Sequence, residues 1–139
     1  MVLDANILIR GVLGVKVFQV LFRYAAQIDF AAPDTAFHEA KERLPGILQL
    51  RGVQAEHGPV TLETLGQLVR TVEPETYAPF ETIARRRIER RDADDWPVLA
   101  AALALGCPIW TEDKDFFGCG VATWTTDRVE LYLAEAALH

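Results

Sequence analysis

Four acidic residues in the sequence lie at positions from which their carboxylates could together hold a divalent cation. They lie at or near predicted ends of strands and starts of helices, and they are Asp4, Glu39, Asp95 and Asp113. Carboxylates that a fold brings to one place repel one another unless they are protonated or bound to cations. Hard divalent cations prefer oxygen ligands, and a cation held by carboxylates can promote the attack of water on a phosphodiester. The set therefore predicts metal-dependent phosphoryl chemistry, provided that the fold brings its members together.

The elements that must position these carboxylates are short apolar strands alternating with helices. Strands are predicted at 2–4, 28–32, 108–111 and 121–125, and residues 69–72 are open to a helix or an edge strand. Helices are predicted at about 15–27, from 34 or 35 to 44, at 62–69, from 77 into an arginine cluster, at 94–105 and from 127 onward, with a loop over 5–14. The expected helix caps are Asp34 or Thr35, Asp94 and Asp127, and Pro45 is expected to end or kink its helix. Because the strands lack polar alternation, the pattern predicts an α/β fold with a parallel sheet covered on both faces.

This fold would gather the four carboxylates at one edge of the sheet. In open α/β sheets, ligands bind beyond the carboxyl ends of the strands, near the point where the strand order reverses. Asp4 and Asp113 each follow a predicted strand. Asp94 and Asp95 open the helix before the strand at 108–111, and Glu39 lies one to two turns into the helix after the second strand.

The composition of the chain excludes several classes of protein and mechanism. The chain has 139 residues, half of them hydrophobic, which predicts one domain over 1–139 with its own core. It contains no serine, so mechanisms with a serine nucleophile are excluded. Cys107 and Cys119 lack the spacing of zinc ligands, so we expect no zinc site and a reducing, cytoplasmic compartment. No apolar run approaches about 18 residues and no basic segment opens the chain, so neither a membrane span nor a signal peptide is expected.

Charge is segregated along the chain. The formal net charge of −6 by itself argues against nucleic-acid binding. Five arginines nevertheless fall within seven positions, and three aspartates follow them. The arginines are Arg85, Arg86, Arg87, Arg90 and Arg91, and the aspartates are Asp92, Asp94 and Asp95. Because arginine pairs with phosphate and carboxylate groups, the cluster is expected to contact substrate phosphates or an acidic partner, and a solvated helix face is the alternative.

Three segments of the sequence together resemble the successive motifs of PIN domains, a family that includes the VapC-type toxins of toxin–antitoxin pairs. The segments are 2–8 (VLDANIL), 92–100 (DADDWPVLA) and 110–116 (WTEDKDF), in the family's order across nearly the whole chain. The resemblance implies a Rossmann-like, three-layer α/β/α sandwich with a short parallel sheet. It also implies a metal-dependent endoribonuclease with Mg²⁺ or Mn²⁺ as cofactor, RNA as substrate, a homodimer, and an antitoxin protein as a further partner.

The resemblance assigns roles to individual residues. Asp4, Glu39, Asp95 and Asp113 match the four acidic catalytic positions. The implied metal ligands are Asp4, Asp95, Asp113 and Asp115, the supporting residues are Asn6, Thr111 and Asp94, and the arginines that would contact RNA are Arg86, Arg87, Arg90 and Arg91. Two alternatives stay open. Glu42, one helical turn from Glu39, is a candidate in its place, and Asp94 or Asp92 is a candidate to share or replace the role of Asp95.

Three other functions compete with this hypothesis. A haloacid-dehalogenase-like phosphatase also has an aspartate after its first strand, but it needs a second aspartate two residues later, where this chain has Asn6, and a catalytic lysine, for which no residue fits. A phosphoacceptor receiver domain needs a lysine at the end of its last strand, and 121–125 contains none. A catalytically inactive PIN domain that serves only as a binding module is the third alternative.

Overall fold

A sheet of five short parallel strands forms the centre of the computed structural model, which describes residues 1–52, 61–89 and 93–138. The strands are β1 (Val2–Leu3), β2 (Ala31–Pro33), β3 (Arg70–Val72), β4 (Ile109–Trp110) and β5 (Thr123–Trp124). Their order in the sheet is β3-β2-β1-β4-β5, so the chain proceeds outward from β1 on one side and then returns to β4 on the other. The order therefore reverses between β1 and β4, where Leu3 lies beside Trp110.

Helices connect the strands and cover both faces of the sheet. They are α1 (Ala5–Leu13), α2 (Lys16–Tyr24), α3 (Asp34–Leu50), α4 (Leu62–Leu65), α5 (Pro74–Tyr77), α6 (Glu81–Ile88), α7 (Trp96–Leu105) and α8 (Val129–Ala136), with short 3₁₀ turns at Ala78–Phe80, Ala93–Asp95 and Lys114–Phe116. Parallel strands require such crossovers, because a tight turn can join only antiparallel neighbours.

Two apolar cores lie on opposite sides of the sheet. Successive side chains of a strand point to opposite faces, so Leu3 and Trp110 pack with α1, α2, α3, α4 and α8, whereas Val2 and Ile109 pack with α5, α6 and α7. The arrangement confirms the predicted α/β fold with a central parallel sheet and helical layers on both sides.

Helix α7 lies against the sheet because its side chains are apolar on every side and many are small. Val98, Leu99 and the alanines at 100, 101 and 102 are buried. The helix ends as predicted at Gly106, whose backbone is left-handed (φ 63°, ψ 41°), and the N–H of Gly106 donates to the carbonyl oxygen of Ala102. A glycine adopts this conformation without the steric cost that a Cβ atom brings.

The prediction of a loop over 5–14 is wrong, because residues 5–13 form α1. Asp4 caps this helix, and its Oδ1 accepts a hydrogen bond of 3.0 Å from the N–H of Ile7. Ile7, Leu8 and Val12 bury the helix in the core, which outweighs the low helix propensity of Gly11. A Cβ atom at Gly11 would lie 3.1 Å from the Leu65 side chain, so the glycine permits close packing of α4.

Other predicted boundaries also need correction. Helix α3 does not end at Pro45; it continues to Leu50, because Leu44 and Leu48 on either side of the proline are both buried. The strand alternative at 69–72 is confirmed by β3, and the helix before it is limited to Leu62–Leu65.

The structure also places three helix caps differently from the sequence prediction. The residue before α3 is Pro33, and the Asp34 carboxylate instead accepts a hydrogen bond of 2.5 Å from the Tyr77 hydroxyl. The N-cap residue of α7 is Asp95 rather than Asp94, and that of α8 is Arg128 rather than Asp127.

No single helix in the described ranges is long and apolar enough to cross a membrane. The pair α1 and α2 reaches the necessary length and composition only when taken together, and the two helices are bent by 103° at their junction.

Two glycine substitutions should change stability in opposite directions. We expect Gly106→Ala to destabilise the protein by about 1–2 kcal/mol, because a side chain at a left-handed position meets the backbone. Gly46→Ala is the matched control: a Cβ atom there has no neighbour within 4 Å, and the residue lies inside α3. It should stabilise the protein by about 0.5–1 kcal/mol. Urea denaturation measures both, and a Gly106→Ala variant as stable as the parent would contradict a steric cost at this left-handed position.

Candidate metal centre

Asp4 is held at the point where the strand order reverses. It directly follows β1 and is only 5% exposed, and its Oδ1 caps α1 through the N–H of Ile7. Its Oδ2 accepts a hydrogen bond from the hydroxyl of Thr111, a fully buried residue that directly follows β4. Both carboxylate oxygens therefore have fixed donors, one from each side of the switch point.

The Thr111 hydroxyl connects Asp4 to the acids that follow β4. Its oxygen accepts a hydrogen bond of 2.9 Å from the N–H of Asp113. The Asp113 Oδ1 in turn accepts one of 2.9 Å from the N–H of Asp115, which fixes the start of the 3₁₀ turn Lys114–Phe116. One continuous series of hydrogen bonds thus runs from Asp4 through Thr111 and Asp113 to Asp115.

Three half-buried carboxylates meet in front of this series. Among the described residues, Asp95, Asp113 and Asp115 each offer one oxygen within 4.8 Å of the other two. We call these three residues the acidic triad. Asp95 reaches it from the N-terminal end of α7, where the unpaired N–H groups of a helix favour nearby negative charge. The triad contains members of two of the three sequence motifs, 92–100 and 110–116.

The remaining predicted acids, together with Asp95 of the triad, line a cleft of about 300 Å³. Asp4, Glu39, Asp94 and Asp95 all contribute to its wall, together with Ala5, Thr35, Ala36 and Val98. Glu39 enters from α3, so the cleft brings together the end of β1 and the starts of two helices. Glu42 does not line this cleft, which favours Glu39 in the alternative left open by the sequence. Asp92 lies outside the described residues.

Burial and mutual repulsion make the charge on Asp4 costly. Burial is the largest cause and raises the pKa of Asp4 to about 6; the hydrogen bonds from Thr111 and Ile7 oppose it, and the charges of Asp113 and Glu39 add to it. The charges of Asp113 and Glu39 both raise this pKa, because the fold places the two carboxylates near Asp4.

The donor set fits a hard divalent cation. The triad offers only carboxylate oxygens, without the thiolates or imidazoles that favour softer metals. A cation at this place would offset the repulsion among the acids and would lower the cost of charging Asp4. The residues present are therefore chemically suited to Mg²⁺ or Mn²⁺.

An arginine that the sequence analysis missed lies at the edge of the cleft. The Arg43 Nη1 donates a hydrogen bond of 2.8 Å to the Asn6 Oδ1 and lies 3.7 Å from the Glu39 Oε1. Asn6 and Glu39 are thus joined through one guanidinium. The spacing of four residues between Glu39 and Arg43 in α3 was the available signal, since residues so spaced share a helix face.

The three described arginines of the cluster, Arg85, Arg86 and Arg87, have different surroundings on α6. The Arg85 Nε lies 2.7 Å from the Glu81 Oε2, and the Arg85 Cζ lies 4.9 Å from the centre of the Trp96 ring. Arg87 donates to the carbonyl oxygen of Cys119 at 3.2 Å, so it holds the loop before β5. Arg86 is exposed on the helix. Arg90 and Arg91, which were expected to contact RNA with Arg86 and Arg87, lie outside the described residues.

The chain matches one known family over nearly its whole length. The family model described as PIN domain matches residues 2–134, which is nearly the whole chain and includes every acid of the site. None of the curated proteins is significantly similar to the chain in sequence.

The buried Asp4 carboxyl should make metal-free stability fall as pH rises from about 4 to 6. In the unfolded state the Asp4 carboxyl has a pKa of 3.8 and loses its proton in this window, whereas in the folded state it keeps the proton. The folded state therefore binds more protons, and its stability falls as the pH rises. The cost at neutral pH is roughly 3 kcal/mol. Asp4→Asn should remove this slope and stabilise the metal-free protein at pH 7, as measured by urea denaturation in EDTA. The same pH profile in both proteins would contradict the assignment.

Divalent cations should raise the melting temperature of the parent protein. Millimolar Mg²⁺ or Mn²⁺ that binds only the folded state stabilises it by about 2.7 kcal/mol at a hundred times its dissociation constant. We expect the rise to disappear in Asp95→Asn and Asp113→Asn. It should shrink in Glu39→Gln and persist in the matched control Glu42→Gln, whose carboxylate lies one helical turn away. A melting temperature indifferent to both cations would refute the site.

Proposed function

The chain belongs to the PIN-domain family, and from this premise we propose that it is a metal-dependent endoribonuclease that hydrolyses phosphodiester bonds in RNA. The observation that carries the proposal is the convergence of acids from three distant segments. Asp4 follows β1, Asp95 directly precedes α7 and Asp113 follows β4, yet they lie around one cleft and one triad. Carboxylates gathered in this way repel one another, and a bound cation would offset the repulsion, which supports a metal-dependent reaction.

The acidic triad would hold the cation, with Asp4 beside it. When bound, Mg²⁺ or Mn²⁺ would lower the pKa of a water molecule and stabilise charge on the phosphate. Thr111 positions the acids, because its single hydroxyl group donates to Asp4 and accepts from the N–H of Asp113. Such outer hydrogen bonds orient metal ligands and typically contribute a factor of 10–100 to metal affinity or activity.

Glu39 has a different role in this proposal. Its carboxylate lines the cleft from α3 and is about half exposed, so it can reach a water molecule or a substrate from the side opposite β4. We assign to it the orientation of the attacking water and the acceptance of its proton. Arg43 limits the positions that the Glu39 side chain adopts, because it also holds Asn6 on α1.

The proposal extends to the biological setting. We propose that the enzyme is the toxin of a toxin–antitoxin pair and acts as a homodimer in a reducing, cytoplasmic compartment; the resemblance of the three sequence motifs to those of PIN domains, a family that includes the VapC-type toxins, supports this. A neighbouring reading frame for a small antitoxin-like protein, and a solution mass twice the 15.5 kDa of the chain, are the observations that test it.

The phosphatase and the receiver domain belong to other families, whereas an inactive PIN-type module is the alternative that an activity assay decides.

Purified protein should cleave single-stranded RNA in Mg²⁺ or Mn²⁺ and lose this activity in EDTA. We expect Asp95→Asn and Asp113→Asn each to lower the initial rate at least about a hundredfold, on the order of the loss seen when one group that stabilises transition-state charge is removed. Glu42→Gln should cleave at the parental rate. Circular dichroism checks that each variant is folded. RNA cleavage that survives in folded Asp113→Asn would remove the triad as the catalytic centre.

A further inference from the structure

A second concave surface opens beside β5, away from the residues that line the acidic cleft. It has a volume of about 380 Å³, and its lining residues are Phe117, Thr123, Trp124, Thr125 and Arg128. We call it the β5 pocket. None of these five residues lines the acidic cleft or belongs to the triad.

The β5 pocket lies at the same edge of the sheet as the triad. Strands β4 and β5 are parallel neighbours, so the residues after them emerge side by side. Phe117 directly follows the 3₁₀ turn that Asp113 caps, only two residues after Asp115. The turn after β5 is tied to the loop after β4, since the N–H of Thr126 donates to the Glu112 Oε2 at 2.6 Å. The pocket is therefore the next position along the edge from the candidate metal centre.

The lining combines aromatic rings with hydrogen-bonding and cationic groups. Phe117 is 42% exposed, although large aromatic side chains are usually buried. The Trp124 ring is stacked on Tyr132 with 5.6 Å between ring centres, so its orientation is fixed by packing. Arg128 is exposed at the N-terminal end of α8, and the hydroxyl of Thr125 donates to the Asp127 carboxylate, which leaves its oxygen as an acceptor. Aromatic faces beside an arginine are the groups on which single-stranded nucleic acids stack their bases and neutralise their phosphates.

We propose that the β5 pocket binds one unpaired base of the RNA strand, stacked on Phe117, while Arg128 binds the phosphate next to that base. The strand would then run along the edge of the sheet, from the triad to α8. A base inside a duplex is stacked and paired, so only a single-stranded segment could enter in this way. The inference rests on the proposed nuclease function and adds to it the preference for an unpaired flanking nucleotide.

Binding of a fluorescein-labelled uridine octamer, followed by fluorescence anisotropy in EDTA, tests the pocket without cleavage. Phe117→Ala should weaken binding at least about fivefold, the lower end of the range for one base stacked on an aromatic ring. Arg128→Gln should reduce the slope of log affinity against log salt by about 0.7, the value for one phosphate contact on a single strand. The matched controls are Phe22→Ala and Arg51→Gln, which replace exposed residues outside the pocket; both should bind like the parent.

An octamer of the same length that lacks bases separates stacking from a general structural effect. Phe117→Ala should leave the affinity for this abasic strand unchanged. Equal losses for both strands, or a normal affinity of Phe117→Ala for the uridine octamer, would overturn the proposal. The nuclease assay gives an independent outcome. Cleavage with normal octamer binding by Phe117→Ala would reject the pocket alone, whereas base-dependent binding without any cleavage would reject the proposed function and retain the pocket.

Discussion

The hydrogen bond from the Thr111 hydroxyl to the buried Asp4 carboxylate is the interaction on which the site depends. It joins the first strand to the fourth at the place where the strand order reverses. The same hydroxyl accepts the N–H of Asp113, so one side chain sets the positions of two acids. Asp4 also caps α1, which means that the site and the first helix share a residue. Loss of this contact would disturb the sheet edge, the helix start and the acidic triad together.

The arrangement makes the protein less stable on its own than it could be. Asp4 is buried beside Asp113 and Glu39, and its ionisation opposes folding at neutral pH. The cores on the two faces of the sheet compensate, because Leu3, Trp110, Val2 and Ile109 place apolar groups on both sides of the same strands. Unfavourable burial and repulsion of charges persist at functional sites when the surrounding structure holds the residues in place.

Sequence patterns predicted the layers and the place of the site but not the local contacts. Short apolar strands, the apolar helix before Gly106 and the three acidic motifs were sufficient for the parallel sheet and the convergence of its acids. The helix over Ala5–Leu13 was missed because Gly11 and Gly14 suggest a loop. The segment nevertheless forms a helix because its apolar side chains are buried. Pro45 did not end α3 for the same reason. The spacing of Glu39 and Arg43 indicates a shared helix face, but the contact of Arg43 with Asn6 joins α1 and α3 and could not be predicted from local spacing.

The register of β1 and β4 restricts where the chain tolerates insertions and deletions. Leu3 lies beside Trp110, and Asp4 and Thr111 are the next residues along the two strands. One residue inserted into either strand would turn the side chains that follow it in that strand to the opposite face of the sheet. It would also move Asp4 away from Thr111. Strands of only two residues leave no room for a compensating bulge within the sheet. Length changes should therefore accumulate in the connections between elements, while the distance in sequence from Ile109 to Asp113 stays constant among functional relatives.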